Sequence, residues 1–420
     1  MRADVVVVGA GPAGLATAVR LAEAGREVRV VARGNGFTHW GPGAVDVLGY
    51  LRGTPVERPL EALERLGPSH PYRVVGADDL RDGLAWFQRF TQAAGLDHVG
   101  GPETNRLQVT ALGTLRTTCL VPAPAAGRPS NGVPGNPLAG KVAVVGFQGF
   151  RDFVPDLCVR GLQSAGVDAS AHSVELPPWD HERHFFAVDL ARALDGPGFR
   201  GELAGRVARA AAGADTVVVP AVLGLASGHE AWRDFQQQVG ATVVEAALPP
   251  PSIPGLRLFA AYRRRLAELD VGWQFGFPVV GVERDGDRVT AVRSEGASRP
   301  VVTTCQELVL ATGGVAGRGI QANRDGTLAE LVAGLPVAGF GDRMAYFGTR
   351  FLDDHPLGAA GVPVDGELRP MHPSGTPVYA NVRCVGSLLA GHDPTVEGSR
   401  EGVALATAAR VAVLLAPAAV

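Results

Sequence analysis

The chain opens on an unbroken apolar run, Val5, Val6, Val7 and Val8, between Asp4 and a glycine cluster. A run of β-branched residues without alternation predicts a strand buried on both faces, as in the middle of a parallel sheet. From Pro12 the period changes. Leu15, Val19, Leu21 and Ala22 mark the apolar face of a helix over 12–24, with Gly25 as its stop. Residues 27–31 predict a second strand. Further on, the pattern alternates between strand-like runs at 142–145 and 216–219 and helical stretches at 203–212 and 230–239. Two Pro/Gly-rich breaks, 121–140 and 248–255, frame this middle part. The runs 279–283 and 288–293 then flank Asp285-Gly286, a hairpin turn signal. A third strand is expected near 300–303, and 307–310 runs straight into Ala311-Thr312-Gly313-Gly314. Short strands are expected at 361–365 and 382–386, and the closing helix within 395–415.

Composition narrows the class. At 420 residues and 46% hydrophobic content, the chain is long enough for two or three domains with large cores. Lys plus Arg number 39 against 42 Asp plus Glu, and the net charge of −3 builds no field that would attract nucleic acid, so no nucleic-acid partner is expected. The 56 glycines follow no period and imply tight turns and close backbone approaches. Cys119, Cys158, Cys305 and Cys384 lie far apart, without the spacing of a zinc or iron–sulfur site, and read as free thiols in a reducing compartment. A strand begins directly after Asp4, so no secretory leader is expected, and the Ala-rich stretch 403–420, broken by Arg410 and Pro417, makes a poor membrane span. A cytoplasmic protein, held at a membrane only through other proteins, is the expectation.

The first candidate chemistry is Gly9-Ala10-Gly11-Pro12-Ala13-Gly14 between a strand and a helix. In that context Gly9 permits the tight turn, Gly11 lets a pyrophosphate approach the backbone, and Gly14 lets helix and strand pack closely. The free N–H groups and the positive end of the helix dipole then face the phosphate. A dinucleotide site usually places an acid about twenty residues on, to accept the ribose hydroxyls. Here the second strand ends Ala32-Arg33, and Arg33 accepts no hydrogen bond but pairs with phosphate. The reading stays open between a 2′-phosphorylated nicotinamide cofactor, FMN with its terminal phosphate, FAD bound without that contact, and a solvated surface charge. Thr312-Gly313 after the hairpin strands favours a flavin over a nicotinamide dehydrogenase, because a meander that returns to the main sheet ends beside the nucleotide in flavoproteins. Near the C-terminus, Gly386-Ser387 and Asp393 precede the last helix, which resembles the strand–Gly–Asp–loop–helix ending of flavoproteins; in these the Asp usually holds the ribityl chain, Ser387 stands in its place here, and Asp393 is its candidate substitute. The fold class expected is α/β: a Rossmann-like flavin- or dinucleotide-binding domain from residues 1–51 and 256–420, with a second α/β domain inserted over 52–255 to cap the site or meet a partner.

A series of segments in order then carries a resemblance. They are the 9–14 turn with Thr38-His39-Trp40 and Asp46-Val47-Leu48, then His70-Pro71-Tyr72, then Leu112-Gly113-Thr114-Leu115-Arg116-Thr117. Val144-Val145-Gly146-Phe147 with Asp152-Phe153 follows, then Val219-Pro220-Ala221, Pro250-Pro251-Ser252 and Gly255-Leu256-Arg257-Leu258, and finally Gly386-Ser387 with Asp393-Pro394. In these the chain resembles the B subunits of anaerobic glycerol-3-phosphate dehydrogenases over nearly its whole length. The resemblance implies a flavoprotein of a three-subunit respiratory enzyme: a flavin-bearing A subunit, a B subunit associated with FMN, and a C subunit with iron–sulfur clusters and membrane attachment. It implies oxidation of sn-glycerol 3-phosphate to dihydroxyacetone phosphate, with electrons passed toward quinone and then fumarate or nitrate. FMN, which has no adenosine ribose, suits Arg33 better than FAD does.

Oxidation of a secondary alcohol needs a base for its hydroxyl proton and cations for the substrate phosphate. His39, in the loop after the second strand, is the candidate base, weighed against an ordinary polar loop histidine. Arg116 and Arg257 are the candidate phosphate ligands, each weighed against a structural ion pair. His392 and Asp393 are candidates for contact with the flavin; His70, before a proline, reads as a turn residue. Two rival functions remain: a stand-alone NAD(P)H-dependent flavin reductase, and a non-catalytic scaffold subunit that retains the fold.

Overall fold

The apolar run at the N-terminus forms strand Arg2–Val8, with Val5 to Val8 buried. The computed structural model describes residues 1–128, 135–179, 185–339, 342–351 and 353–417. Strand Arg2–Val8 pairs in parallel with Val28–Ala32 on one edge and Val301–Leu310 on the other. Gly272–Phe275 adds in parallel beyond Val28–Ala32. Along its far edge, Val301–Leu310 pairs antiparallel with Arg288–Ser294 at its start and parallel with Val382–Cys384 at its end. Val279–Asp285 closes the meander against Arg288–Ser294. The two strands expected at 300–303 and 307–310 are thus one ten-residue element. Its first half alternates in burial and its last three residues are all buried, which is the change of pattern that made it read as two.

Helix Pro12–Glu23 ends on Ala24 with Gly25 at φ +85°, as its glycine stop predicts. Helix Arg400–Leu415 packs on it, and the Arg26 Nε–H donates to the Leu415 carbonyl at 2.7 Å. The closing helix starts five residues later than the start of the expected window, because 395–399 forms a turn. No strand forms at 361–365: Gly361, Val362 and Val364 make only isolated bridges, to Ala338, Leu389 and Pro370.

The chain forms two compact units: Met1–Phe37 with Asp46–Phe87 and Tyr262–Val420, and Thr38–Val45 with Gln88–Ala261. These divisions differ from the expected insertion over 52–255. Residues 46–87 stay with the first unit because they bond to its C-terminal part. The Gly402 amide donates to the Asp46 carbonyl at 2.8 Å, and the Gly49 and Tyr50 amides donate to the Glu397 carbonyl at 2.9 Å each. At the other junction, residues 253–255 of the expected break open helix Ile253–Glu268.

The second unit carries a four-stranded parallel sheet in the order Ala169–Val174, Val142–Phe147, Thr216–Pro220, Thr242–Ala246. Helices Pro155–Ser164, Ala187–Asp195, Pro197–Ala210 and Glu230–Val239 supply apolar side chains to its core, among them Leu162, Leu190, Leu203 and Phe235. The helix expected at 203–212 begins at Pro197, where proline suits the first turn.

Candidate functional site

In the first unit three glycine segments meet. Gly9 has φ +118°, and a Cβ there would run into the Ala311 carbonyl oxygen. A Cβ on Gly14 would run into the Gly9 carbonyl and lie 3.2 Å from the Ala311 Cβ. The turn is stitched to the sheet by the Gly9 amide on the Val31 carbonyl at 2.9 Å and the Ala311 amide on the Val8 carbonyl at 2.8 Å. Gly11 differs from its neighbours. It is the N-cap of helix Pro12–Glu23 with φ −81°, no side chain caps the helix, and no atom lies within 4 Å of where its Cβ would stand. The first-turn amides therefore face an open cradle beside an uncapped helix end, where an anionic group is favoured.

The second segment follows strand Val301–Leu310. A Cβ on Gly313, at φ +78°, would lie 3.2 Å from the Gly317 Cα, and one on Gly314 would lie 2.7 Å from the Ser387 carbonyl oxygen. The Thr312 hydroxyl is buried with no partner. In the third segment, Gly386 at φ +66° places its own Cβ direction 2.7 Å from the Ala13 Cβ, and its amide donates to the Thr407 Oγ1 at 3.1 Å. Gly9, Gly11, Gly14, Gly313, Gly386 and Ser387 are thus brought together, and the sheet register is what brings them. Residue 310 ends level with Val8, and Cys384 ends level with Leu310.

Arg33 lies exposed just past strand Val28–Ala32. Asp393 is turned inward on its own loop: its Oδ1 accepts the amides of Thr395 at 2.9 Å and Val396 at 3.1 Å. That is a turn-capping role, and a ribityl contact would compete with it. Sequence reasoning missed Gly36, whose Cβ would run into the backbone of Ala10 and Gly11. The signal was present as a second glycine pair, Gly34 and Gly36, directly after the second strand. It also missed Glu397, whose Oε2 accepts from the His70 Nε2 at 3.1 Å and the Ser399 Oγ at 3.0 Å. Burial pushes the Glu397 carboxyl up, but His70 and Ser399 together hold it below its usual value.

The other three candidates belong to the second unit. The His39 ring packs edge-on against Trp40 and Phe259, with centroids 4.7 and 5.2 Å away. Burial lowers its pKa, and its Nδ1 is buried without a partner. Arg116, on strand Leu115–Thr118, donates to the Gln108 Oε1 at 3.1 Å. Arg257 is buried on helix Ile253–Glu268. Its Nε donates to the Gly224 carbonyl at 2.8 Å, its Nη2 to the Leu223 carbonyl at 2.9 Å, and its Nη1 to the Glu245 carboxylate at 3.2 Å. These contacts make Arg257 half of a structural ion pair rather than a phosphate ligand, and with its donors engaged it carries no substrate role forward.

The family model described as an FAD binding domain matches residues 4–403 of this chain. A probable B subunit of anaerobic glycerol-3-phosphate dehydrogenase from Halobacterium salinarum is 34% identical over 420 residues, covering 97% of this chain and 96% of that protein. The B subunit of anaerobic glycerol-3-phosphate dehydrogenase from Yersinia pestis is 33% identical over 424 residues, covering 98% and 97%. Among solved structures, the 3-ketosteroid Δ1-dehydrogenase of Sterolibacterium denitrificans aligns over 99% of both chains at 12% identity and a TM-score of 0.45.

Proposed function

Since this chain belongs to the flavoprotein family of anaerobic glycerol-3-phosphate dehydrogenase B subunits, an oxidoreductase family, we propose that it is the flavin-carrying B subunit of such an enzyme. Its reaction is then the oxidation of sn-glycerol 3-phosphate to dihydroxyacetone phosphate. The observation that carries the reading is the open cradle at Gly11, set among the closely packed Gly9, Gly14, Gly36 and Gly386.

These residues fit a flavin. The first-turn amides of helix Pro12–Glu23 would hold its phosphate, and Thr312, Gly313, Gly386 and Ser387 would border the rest. When bound, a flavin supplies the hydride acceptor. This chain's residues then handle the proton and the substrate's charge. His39 is the proposed base, because burial lowers its pKa and so favours the neutral ring that a base needs. Arg116 is the proposed cation for the substrate phosphate. Arg33 favours FMN, whose terminal phosphate it would pair, whereas the family's FAD-binding description favours FAD.

Electrons leave through partners in this reading: a flavin-bearing A subunit and an iron–sulfur C subunit that attaches the complex peripherally to the cell membrane and passes them to quinone. Among the described residues no helix is long and apolar enough to cross a membrane, so any such attachment is assigned to a partner. The test is to purify the full chain apart from its flavin-bearing partner, offer it FMN and FAD, release what stays bound with acid, and identify it by chromatography and absorbance. FMN or FAD supports the proposal and separates its two forms. A folded chain that holds neither overturns it.

A further inference from the structure

Directly after Thr312-Gly313 the chain makes one tight turn. The Gly319 amide donates to the Gly314 carbonyl at 3.1 Å, and inside it the Arg318 amide donates to the Val315 carbonyl at 3.1 Å. These two nested bonds are those of a Schellman motif, in which the donor of the inner bond takes a left-handed backbone and is usually glycine. Here that residue is Arg318, at φ +62°. On such a backbone the Cβ crowds the following carbonyl oxygen.

Glycines stand on either side of it instead. A Cβ on Gly317 would lie 3.0 Å from the Gly313 Cα, and one on Gly319 would run into the Gly313 carbonyl oxygen and stand 2.6 Å from the Thr312 Oγ1. Glycine therefore occupies both positions where neighbours exclude a side chain, and arginine the position between them where the backbone favours glycine. Packing does not account for the arginine. Its side chain is exposed, and among the described residues no hydrogen bond or ion pair engages its guanidinium. A residue held in a sparsely populated backbone region with no structural partner points to function.

Its place in the first unit narrows what the side chain meets. Arg318 is one peptide, about 3.8 Å between Cα atoms, from each of the two glycines that press on Thr312 and Gly313. The preceding Ala311 carbonyl is the one that Gly9 packs against. The guanidinium is thus a permanently charged fork, free to move, tethered at the rim of the segment that borders the flavin in the reading above. Paired N–H groups of this geometry match the oxygens of a phosphate. The other candidate cations are more committed: Arg257 is held by Glu245, Gly224 and Leu223, and Arg116 gives its Nη2 to Gln108. The flavin's own phosphate has the first-turn amides at Gly11.

We propose that Arg318 binds the phosphate of a phosphate monoester at the Thr312-Gly313 rim, and that this ester is glycerol 3-phosphate. The proposal rests on the flavin reading above. A monoester carries close to two negative charges at neutral pH, so Arg318 adds to Arg116 rather than replacing it.

The test uses three variants of the full chain. Arg318→Gln removes the charge, Arg318→Lys restores it without the fork, and Arg318→Gly suits the backbone. Binding of FMN, FAD and riboflavin is read from quenching of flavin fluorescence, and KM for glycerol 3-phosphate from the enzyme assembled with its partner subunits. We expect Arg318→Gln to raise KM about tenfold or more, well beyond any change in kcat, with partial recovery in Arg318→Lys and with all three flavins bound as in wild type. Weaker FMN or FAD with riboflavin unchanged still supports a phosphate ligand, and assigns it to the flavin rather than the substrate. Riboflavin weakened as much as FMN overturns the proposal, and so does a folded Arg318→Gln variant in which neither KM nor flavin binding moves. Without flavin, Arg318→Gly should melt at least as high as wild type while showing the same loss of phosphate binding; a lower melting temperature makes the arginine a support of the fold and overturns the proposal. A wild-type chain that takes up no flavin overturns the flavin reading itself.

Discussion

Gly11 and Gly14 lie three residues apart in one turn, yet the same methyl group added to each should fail in opposite ways. At Gly14 a Cβ would run into the Gly9 carbonyl and crowd the Ala311 Cβ at 3.2 Å. Backbone forms part of that obstruction, so helix and sheet must separate. Overpacking of this kind costs about 1–3 kcal/mol. For a unit of this size, that lowers the melting temperature by roughly 2–12 °C. At Gly11, φ is −81° and nothing lies within 4 Å of the added atom. The loss at an N-cap, a few tenths of a kcal/mol or more, opposes a gain of about 0.4–1 kcal/mol from a stiffer unfolded chain. The melting temperature of Gly11→Ala without cofactor should therefore stay within about 2 °C of wild type. The methyl does, however, stand where the phosphate must come. Displacing two charge-assisted hydrogen bonds, at about 1.5–3 kcal/mol each, weakens flavin binding at least about 100-fold. Scanning fluorimetry of the apoprotein and fluorescence titration with flavin measure the two effects separately. A Gly11→Ala chain that binds flavin within threefold of wild type refutes the assignment of the cradle. One that melts as low as Gly14→Ala refutes the packing argument.

Three other outcomes are expected. Arg257→Met strands the Glu245 carboxylate at a site where both side chains are 2% exposed. It should cost about 3–5 kcal/mol of stability, seen as lost soluble yield and a lower melting temperature, while KM for glycerol 3-phosphate in any folded complex stays unchanged; a selective rise in KM would restore the phosphate role. His392 has its pKa lowered from 6.5 to about 4, so the unfolded chain binds the extra proton first. Stability should fall as pH drops from about 6.5 to about 4 and then level off for this group, a change of roughly 3 kcal/mol; chemical denaturation of the apoprotein across that window should show a flatter profile for His392→Phe, since His70, Glu397 and Arg400 remain. Burial raises the Cys158 thiol to about 12 and the Cys305 thiol to about 11, so a thiol reagent at pH 8 should label neither appreciably until the chain is denatured.

The sequence disclosed its flavin half better than its inserted half because of where the glycines fall. Gly9, Gly14, Gly313 and Gly386 are glycines for steric reasons that leave a local mark, and their strands are apolar runs that end at the same level. Strand Val301–Leu310 misled because it is half-exposed at one end and buried at the other. Strands Ala169–Val174 and Gly272–Phe275 went unseen: the first mixes Ser and His with Ala, the second is a short edge, and neither shows a period. Arg257 was misjudged because a lone arginine beside Gly and Leu looks alike whether it faces substrate or a carboxylate twelve residues away. Glu397 and His70 meet across 327 residues, a separation that no local pattern encodes.

The pairing of Arg2–Val8 with Val301–Leu310 also sets a clock on biosynthesis. The strand that carries the glycine turn leaves the ribosome well before its partner on one edge, which is made some three hundred residues later. At about 5–20 residues per second, that delay is roughly 15–60 s. In the interval the edge of Arg2–Val8 that will meet Val301–Leu310 has no partner, while the parallel sheet between 142 and 246 is already fully synthesised. A nascent chain stalled before residue 301 should therefore display a finished inserted unit and an open, aggregation-prone apolar edge at its N-terminus. The three glycine segments around the cradle can meet only once residue 386 has been made.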